Sequence, residues 1–287
     1  MTRRVSILDS LPKLITARDV LEPIHSVLQQ DALIVPIKES WIETCMEEGC
    51  DFDQIFLVVD GTRPVASVGS IELLDPELEG TRVRDAADPI SPDALVAANT
   101  RALDLLELFA TRDNVYYLVL DGHAIIGFVN YRGLLGPAFK LLLLGLALNL
   151  EDVALGLIRR QPKQSFLRLS PGRQQKASEV FQMRRIDAKE KPSEKELLYY
   201  TSFCDKGFIV AKRKLVATVT NRELTSCFAV AETIRNRCAH TSPSEDDIAQ
   251  MDAKSLFKAV SLILRCTAAI AEQLDAPIQL DATGVEC

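Results

Sequence analysis

The chain has 287 residues, 47% of them hydrophobic and 25% charged, a balance that excludes a disordered or fibrous protein and sets the expectation of about two globular domains. Net charge is −7, but residues 1–158 carry 12 basic and 24 acidic side chains and the remainder 21 and 16. The first part is therefore −12 and the second +5, so the two face different partners, the second of them plausibly polyanionic. Seven cysteines without a CxxC pair read as reduced core thiols of a cytosolic protein rather than a disulfide framework.

The apolar run after Arg3 and Arg4 is too short for a secretory segment. Further on, Leu57-Val58-Val59-Asp60-Gly61 returns as Leu118-Val119-Leu120-Asp121-Gly122, displaced by 61 residues, which marks an internal duplication with copies at about 10–75 and 76–136. Each copy is expected to hold a helix (39–48; 101–111), a strand ending at an Asp-Gly hairpin turn, a second strand (64–71; 124–131) and a closing Leu-Leu. Residues 89–92 read as a loop between the copies, and His25 and His123 as isolated exposed histidines.

No flexible linker separates residues 1–136 from 137–287, because Gly133-Leu134-Leu135-Gly136-Pro137 runs directly into the most apolar segment. That segment, 139–158, is interrupted by Lys140, Asn149, Glu151 and Asp152, so its uninterrupted apolar core is far below spanning length and it reads as a buried helix, with no membrane partner. Helical periodicity then continues, with helices expected over 137–160, 171–185, 193–216, 222–240 and 244–274. Ser193 with Glu196 and Thr220 with Glu223 have the spacing of capping boxes. Ahead of both lies a basic stretch, Arg159, Arg160, Lys163, Arg168, Arg173, Lys176, Arg184 and Arg185 against Glu179 alone, which reads as a solvated face or an electrostatic guide for RNA.

In the helix expected over 222–240, Leu224, Cys227, Phe228, Ala231, Ile234 and Cys238 form an apolar stripe, and Arg235 projects near its centre. Glu232, Asn236 and His240, spaced by four, stack on the adjoining polar face. An arginine in an apolar seam needs either an ion-pair partner or a ligand. Arg235, Asn236 and His240 together offer a guanidinium, an amide and an imidazole suited to holding and attacking a phosphodiester. No set of histidines, cysteines and acids has metal-ligand spacing.

Two family resemblances attach to these residues. The duplicated half resembles a tandem pair of CBS domains, best in Gly127-Phe128-Val129-Asn130-Tyr131-Arg132-Gly133-Leu134-Leu135. The resemblance implies a regulatory module binding an adenine nucleotide. It departs from the family where a ribose-binding aspartate belongs, since Gly133 stands there in the second copy and Glu72 in the first, which leaves Glu72 and Asn130 as the polar candidates. The helical half, with Arg-Asn-x-x-x-His near the end of its penultimate long helix, resembles the HEPN ribonucleases. It implies an α+β chain of tandem CBS-like α/β modules followed by an all-α HEPN-like bundle. It further implies a homodimer whose composite site uses Arg235, Asn236 and His240, without a cofactor, to cleave single-stranded or looped RNA through the 2′-hydroxyl. Such proteins act in stress or phage defence, some with an antitoxin partner. The alternative reading is a non-catalytic nucleotide sensor or partner-binding dimerisation protein.

Overall fold

The computed structural model describes residues 13–24, 27–34, 54–78, 80–160, 162–184, 191–239 and 248–276. The chain forms two compact units, Ile15–Gly136 and a second dominated by Pro137–Cys287. The helix expected over 39–48 lies outside the described residues.

The first unit is built on the duplication. In each copy a parallel strand precedes an antiparallel hairpin: β1 (Val27–Gln29) pairs with β2 (Ile55–Asp60), which pairs with β3 (Arg63–Gly69), and β5 (Leu95–Ala97) pairs with β6 (Tyr116–Asp121), which pairs with β7 (Ala124–Asn130). The hairpin turns place Gly61 at φ +61° and Gly122 at φ +62°, a conformation that glycine adopts without steric cost. Both hairpins carry a register shift at the same place, Val58/Val59 and Val119/Leu120. Short helices close each copy, Ser70–Leu73 and Tyr131–Leu134, and helix Ala102–Thr111 covers the second sheet.

A second pair of repeats lies ahead of each copy. Helices Ala17–Val20 and Val83–Ala86 stand 66 residues apart, each opened by a carboxylate that reaches back to the cap, Asp19 to Thr16 and Asp85 to Arg82. These leaders are exchanged. Pro89, expected in a loop, instead belongs to β4 (Asp88–Pro89), a strand on the β3 edge of the first copy, with Ser67 opposite Asp88. Reciprocally, Glu22 pairs with Phe128 of the second copy through two backbone hydrogen bonds of 2.7 and 3.0 Å. The same pseudo-symmetry holds upstream, where Ala17 and Arg18 donate to the Thr100 and Ala98 carbonyls while Val83 and Arg84 donate to those of Ala32 and Gln30. Val83 is fully buried in the first copy's core with Ile34, Phe56, Val58 and Val68. Burying such a side chain contributes about 1.5–3 kcal/mol, so the exchange is a packing requirement and not only a strand pairing.

The second unit is helical. Its core is the long helix Pro137–Ile158 packed with Phe203–Lys212, Asn221–Ala239 and Ala253–Asp275, designated α1, α2, α3 and α4 of this unit. Proline at the first position of α1 forfeits only a hydrogen bond that the helix start lacks anyway. α1 is long and apolar enough by length and composition to cross a membrane, with half of its most apolar window buried. Its buried face runs Phe139, Leu142, Leu143, Leu146, Ala147, Leu150 and Ala154, while Leu141 and Leu148 are exposed.

Two expected helices start elsewhere. The segment 193–216 breaks after a short helix, Glu194–Leu197, because Ser202 and Asp205 form a capping box of their own, with Asp205 N donating to Ser202 Oγ and Ser202 N to Asp205 Oδ2. The helix expected from 244 is described from Ala253, where Asp252 caps it by accepting from Ser255 N at 2.8 Å. The capping boxes at Ser193 and Thr220 are present.

α2 and α3 approach closely at Gly207, where an added Cβ would lie 2.3 Å from Cγ of Phe228. Helix propensity favours Gly207→Ala by about 1 kcal/mol, but overpacking a fixed aromatic costs about 1–3 kcal/mol or more. Packing wins, so this variant is expected to lower the thermal midpoint by several degrees, and a second change, Phe228→Leu, to recover part of that loss. A Gly207→Ala midpoint equal to or above wild type would contradict the packing.

Candidate functional site

The apolar stripe on α3 is buried through Leu224, Cys227, Phe228, Ala231 and Ile234, and Cys238 is half-buried. Arg235 is half-buried too, with its guanidinium over the Phe203 ring, 5.9 Å from the ring centroid. Among the described residues no carboxylate pairs with it. Asn236 is exposed beside it. His240 lies outside the described residues.

The polar row of α3 meets α2. Cys204 donates its thiol to Glu232 Oε2 at 2.7 Å, one turn before Asn236. Burial, then the hydrogen bond and negative charge of Glu232, push the Cys204 thiol up to about 11. Next to it Arg173 bonds Asp205 at 2.8 Å and lies over Phe208, 5.5 Å from the centroid. Lys206 is buried and bridges α2 to α1 by bonds of 2.8 Å to Glu151 Oε1 and to the Thr201 carbonyl. Deeper, the buried thiols Cys227 and Cys266 interact across α3 and α4. The hydrogen bond to Cys266, followed by burial, pushes Cys227 upward, and the reciprocal hydrogen bond draws Cys266 downward.

The basic stretch divides by role. Arg160 donates to the Leu274 carbonyl and to that of Ala276 at 2.9 Å, satisfying the end of α4. Arg159 lies over Tyr199 at 4.8 Å, and its Nε is buried without a partner among the described residues. Arg168, Arg173, Lys176 and Arg184 are exposed, and Arg173 comes beside α2. The side chain of Lys163 and the whole of Arg185 lie outside the described residues. Among the described residues no group of three or more His, Cys, Asp and Glu can hold a metal ion.

In the first unit, Asn130 is buried and caps helix Tyr131–Leu134, its Oδ1 accepting from Gly133 N at 2.6 Å. Gly133 faces the first leader: an added Cβ would lie 2.3 Å from Glu22 Oε1 and 3.1 Å from Asn130 Oδ1. A side chain at position 133 would thus meet Glu22, from the other copy's leader. Sequence reasoning missed it because nothing local to residue 133 points to residue 22. Gln54, buried at the head of β2, has an Oε1 with no partner among the described residues. Its neighbour Ile55 packs with Leu118 and Phe128, and Ile24 lies against them. Glu72 falls in helix Ser70–Leu73, but its side chain lies outside what is described. A separate basin of about 380 Å³ is lined by Thr16, Arg18, Asn99 and Asp121, with Arg18 and Asp121 paired at 2.5 Å. His123 lies exposed in the hairpin turn.

Cys204 is expected to alkylate slowly at pH 8, with the rate rising up to about pH 11 as its thiolate forms. Its folded-state pKa lies above the usual thiol value, so the stability tied to this proton is complete below about 9 and is lost as pH rises through about 11. Glu232→Gln removes one charge and should move the midpoint of a mass-spectrometric alkylation profile downward. An unmoved midpoint would leave burial as the sole cause.

Neither a family model nor a curated protein matches the sequence. Solved structures do align with part of it. The CBS-pair protein CBSX2 from Arabidopsis thaliana is 18% identical, over 44% of this chain and 96% of that one, with a TM-score of 0.34. Its complex with AMP is 20% identical over 44% and 98%, with the same TM-score. The CBS domain of a bacterial CNNM/CorC family Mg2+ transporter in complex with ATP is 15% identical over 46% and 92%, with a TM-score of 0.35.

Proposed function

We propose that the chain is a nucleotide-regulated, metal-independent endoribonuclease, in which the helical unit cleaves single-stranded or looped RNA and the duplicated unit senses an adenine nucleotide. The observation that carries the catalytic part is Arg235. Its guanidinium lies over Phe203 with no carboxylate paired to it among the described residues, and it adjoins the exposed Asn236. A structural arginine in an apolar stripe would be expected to hold an acid. One held only by a distant ring contact keeps N–H donors for phosphate oxygens.

In this reading Arg235 binds the phosphate and stabilises charge developing on the phosphorane. His240 moves a proton from the 2′-hydroxyl or to the leaving 5′-oxygen, and Asn236 orients it or the RNA. The products are a 2′,3′-cyclic phosphate and a 5′-hydroxyl. Two copies of the chain bring two such motifs to one seam.

The regulatory part is supported by the exchanged leaders, which make each copy depend on the other. They bring Glu22 of the first leader to Gly133 and Asn130 of the second copy. Glu22 and Asn130 supply a carboxylate and an amide suited to ribose hydroxyls.

Incubation with total RNA in EDTA should give cyclic-phosphate ends, and Arg235→Ala or His240→Ala should lower the rate by about 100-fold or more. Intact RNA under all nucleotide conditions, or cleavage that both variants leave undiminished, would sink the assignment. Calorimetry with AMP and ATP should show binding that Glu22→Ala weakens about tenfold, the scale of one charge-assisted hydrogen bond. Absence of heat with either nucleotide would remove the sensing role while leaving the nuclease standing.

A further inference from the structure

A cavity of about 640 Å³ lies between α2 and α3. Its apolar wall is Phe208, Ala211 and Ala229, and its cations are Lys212 and Arg222, with no acid among the lining residues. Asn221, Thr225 and Ser226 add an amide and two hydroxyls. The half-exposed Phe208 ring is flanked by Lys212 Nζ at 5.6 Å and by Arg173 at 5.5 Å. Those distances are near the outer limit of a cation–π contact, so Lys212 is loosely held and Arg173 is anchored by Asp205.

We propose that this cavity is a binding subsite for single-stranded RNA, in which one unpaired base stacks on Phe208 while Lys212 and Arg222 take the flanking phosphates. The volume falls within the range of small-ligand sites. An aromatic plane beside cations, with no acid on the lining, matches the chemistry of a nucleotide: a π face next to negative charge. Single strands are favoured because a duplex hides its base faces.

Lys212 can leave the ring for a phosphate at small cost, whereas Arg173 is held by Asp205. Glu232 lies three residues past Ala229 with its carboxylate against Cys204. It repels phosphate and so ends the subsite.

The placement deepens the ribonuclease reading, from which it takes RNA as the ligand, but it stands on binding rather than cleavage. Asn236 is eleven residues beyond Thr225, roughly 16 Å along α3 and within about 20° around its axis. Glu232 lies between the two on that face, so the subsite at Phe208 is separate from Asn236.

The test uses a fluorescein-labelled 12-nucleotide RNA with 2′-O-methyl groups, which cannot be cleaved through its 2′-hydroxyl, and reads anisotropy against the full chain. Phe208→Leu, which keeps apolar bulk, should weaken binding about tenfold, and Phe208→Tyr should stay within about twofold. Lys212→Ala and Arg222→Ala should each reduce the slope of log K against log salt by about 0.7, while Phe208→Leu leaves the slope unchanged. The annealed duplex should bind at least about tenfold more weakly.

Binding unaffected by Phe208→Leu, equal binding of the duplex, or no binding at all would overturn the proposal. So would equal, Phe208-dependent capture of an acidic peptide, which would assign the surface to a protein. Phe208-dependent binding by a chain that leaves unmodified RNA intact would keep the subsite and discard the nuclease. Cleavage lost in His240→Ala with Phe208-independent binding would do the reverse.

Discussion

The first unit depends on the exchange of its leaders. Each hairpin presents an outer strand, β3 or β7, whose backbone donors and acceptors would otherwise face solvent, and each is covered by the segment that begins the other copy. Val83 then fills the first copy's core, and Gly127 is forced by the opposite leader, since an added Cβ there would lie 2.5 Å from the Glu22 carbonyl oxygen. Neither copy completes its sheet or core alone. A ligand that touches a leader therefore acts on both copies at once, the kind of coupled arrangement that regulation requires.

In the second unit the corresponding constraint is the contact of Gly207 with Phe228. Without a Cβ at 207 the α2 backbone comes against the Phe228 ring, and the two helices run side by side at a separation that larger residues would not permit. Along the same pair of helices Cys204 meets Glu232, Phe203 lies near Arg235, and Phe208 lines a cavity with Thr225 and Ala229.

The legible features were those carried by short-range pattern. The duplication followed from a five-residue match, the stripe of α3 from steps of three and four, and the caps at Ser193 and Thr220 from a polar residue three before an acid. The break at Ser202 obeys the same rule, since Ser202-Phe203-Cys204-Asp205 is a capping box, but apolar periodicity continued through it and concealed the start. The leaders stayed hidden because they repeat at 66 residues and the hairpins at 61. Glu22 at Gly133 and Phe203 under Arg235 are separated by far more than a helical turn, and periodicity is silent about such pairs. The basic stretch shows the same limit: Arg160 is adjacent to Arg159 in sequence, yet one ends α4 and the other stacks on Tyr199.

The arginines of the helical unit separate two ways of holding a cation. Arg173 has both an aromatic ring and Asp205, so its charge is largely neutralised and its place fixed. Arg235 has the ring without an acid among the described residues. A cation–π contact contributes about 0.5–1 kcal/mol at an exposed site, less than an anion bonded to two guanidinium donors supplies. The ring therefore orients Arg235 without satisfying it. At 5.9 Å from the centroid the guanidinium is near the outer limit of a cation–π contact, so the ring holds it only weakly. What separates Arg235 from Arg173 is therefore the acid that Arg173 holds and that Arg235 lacks among the described residues.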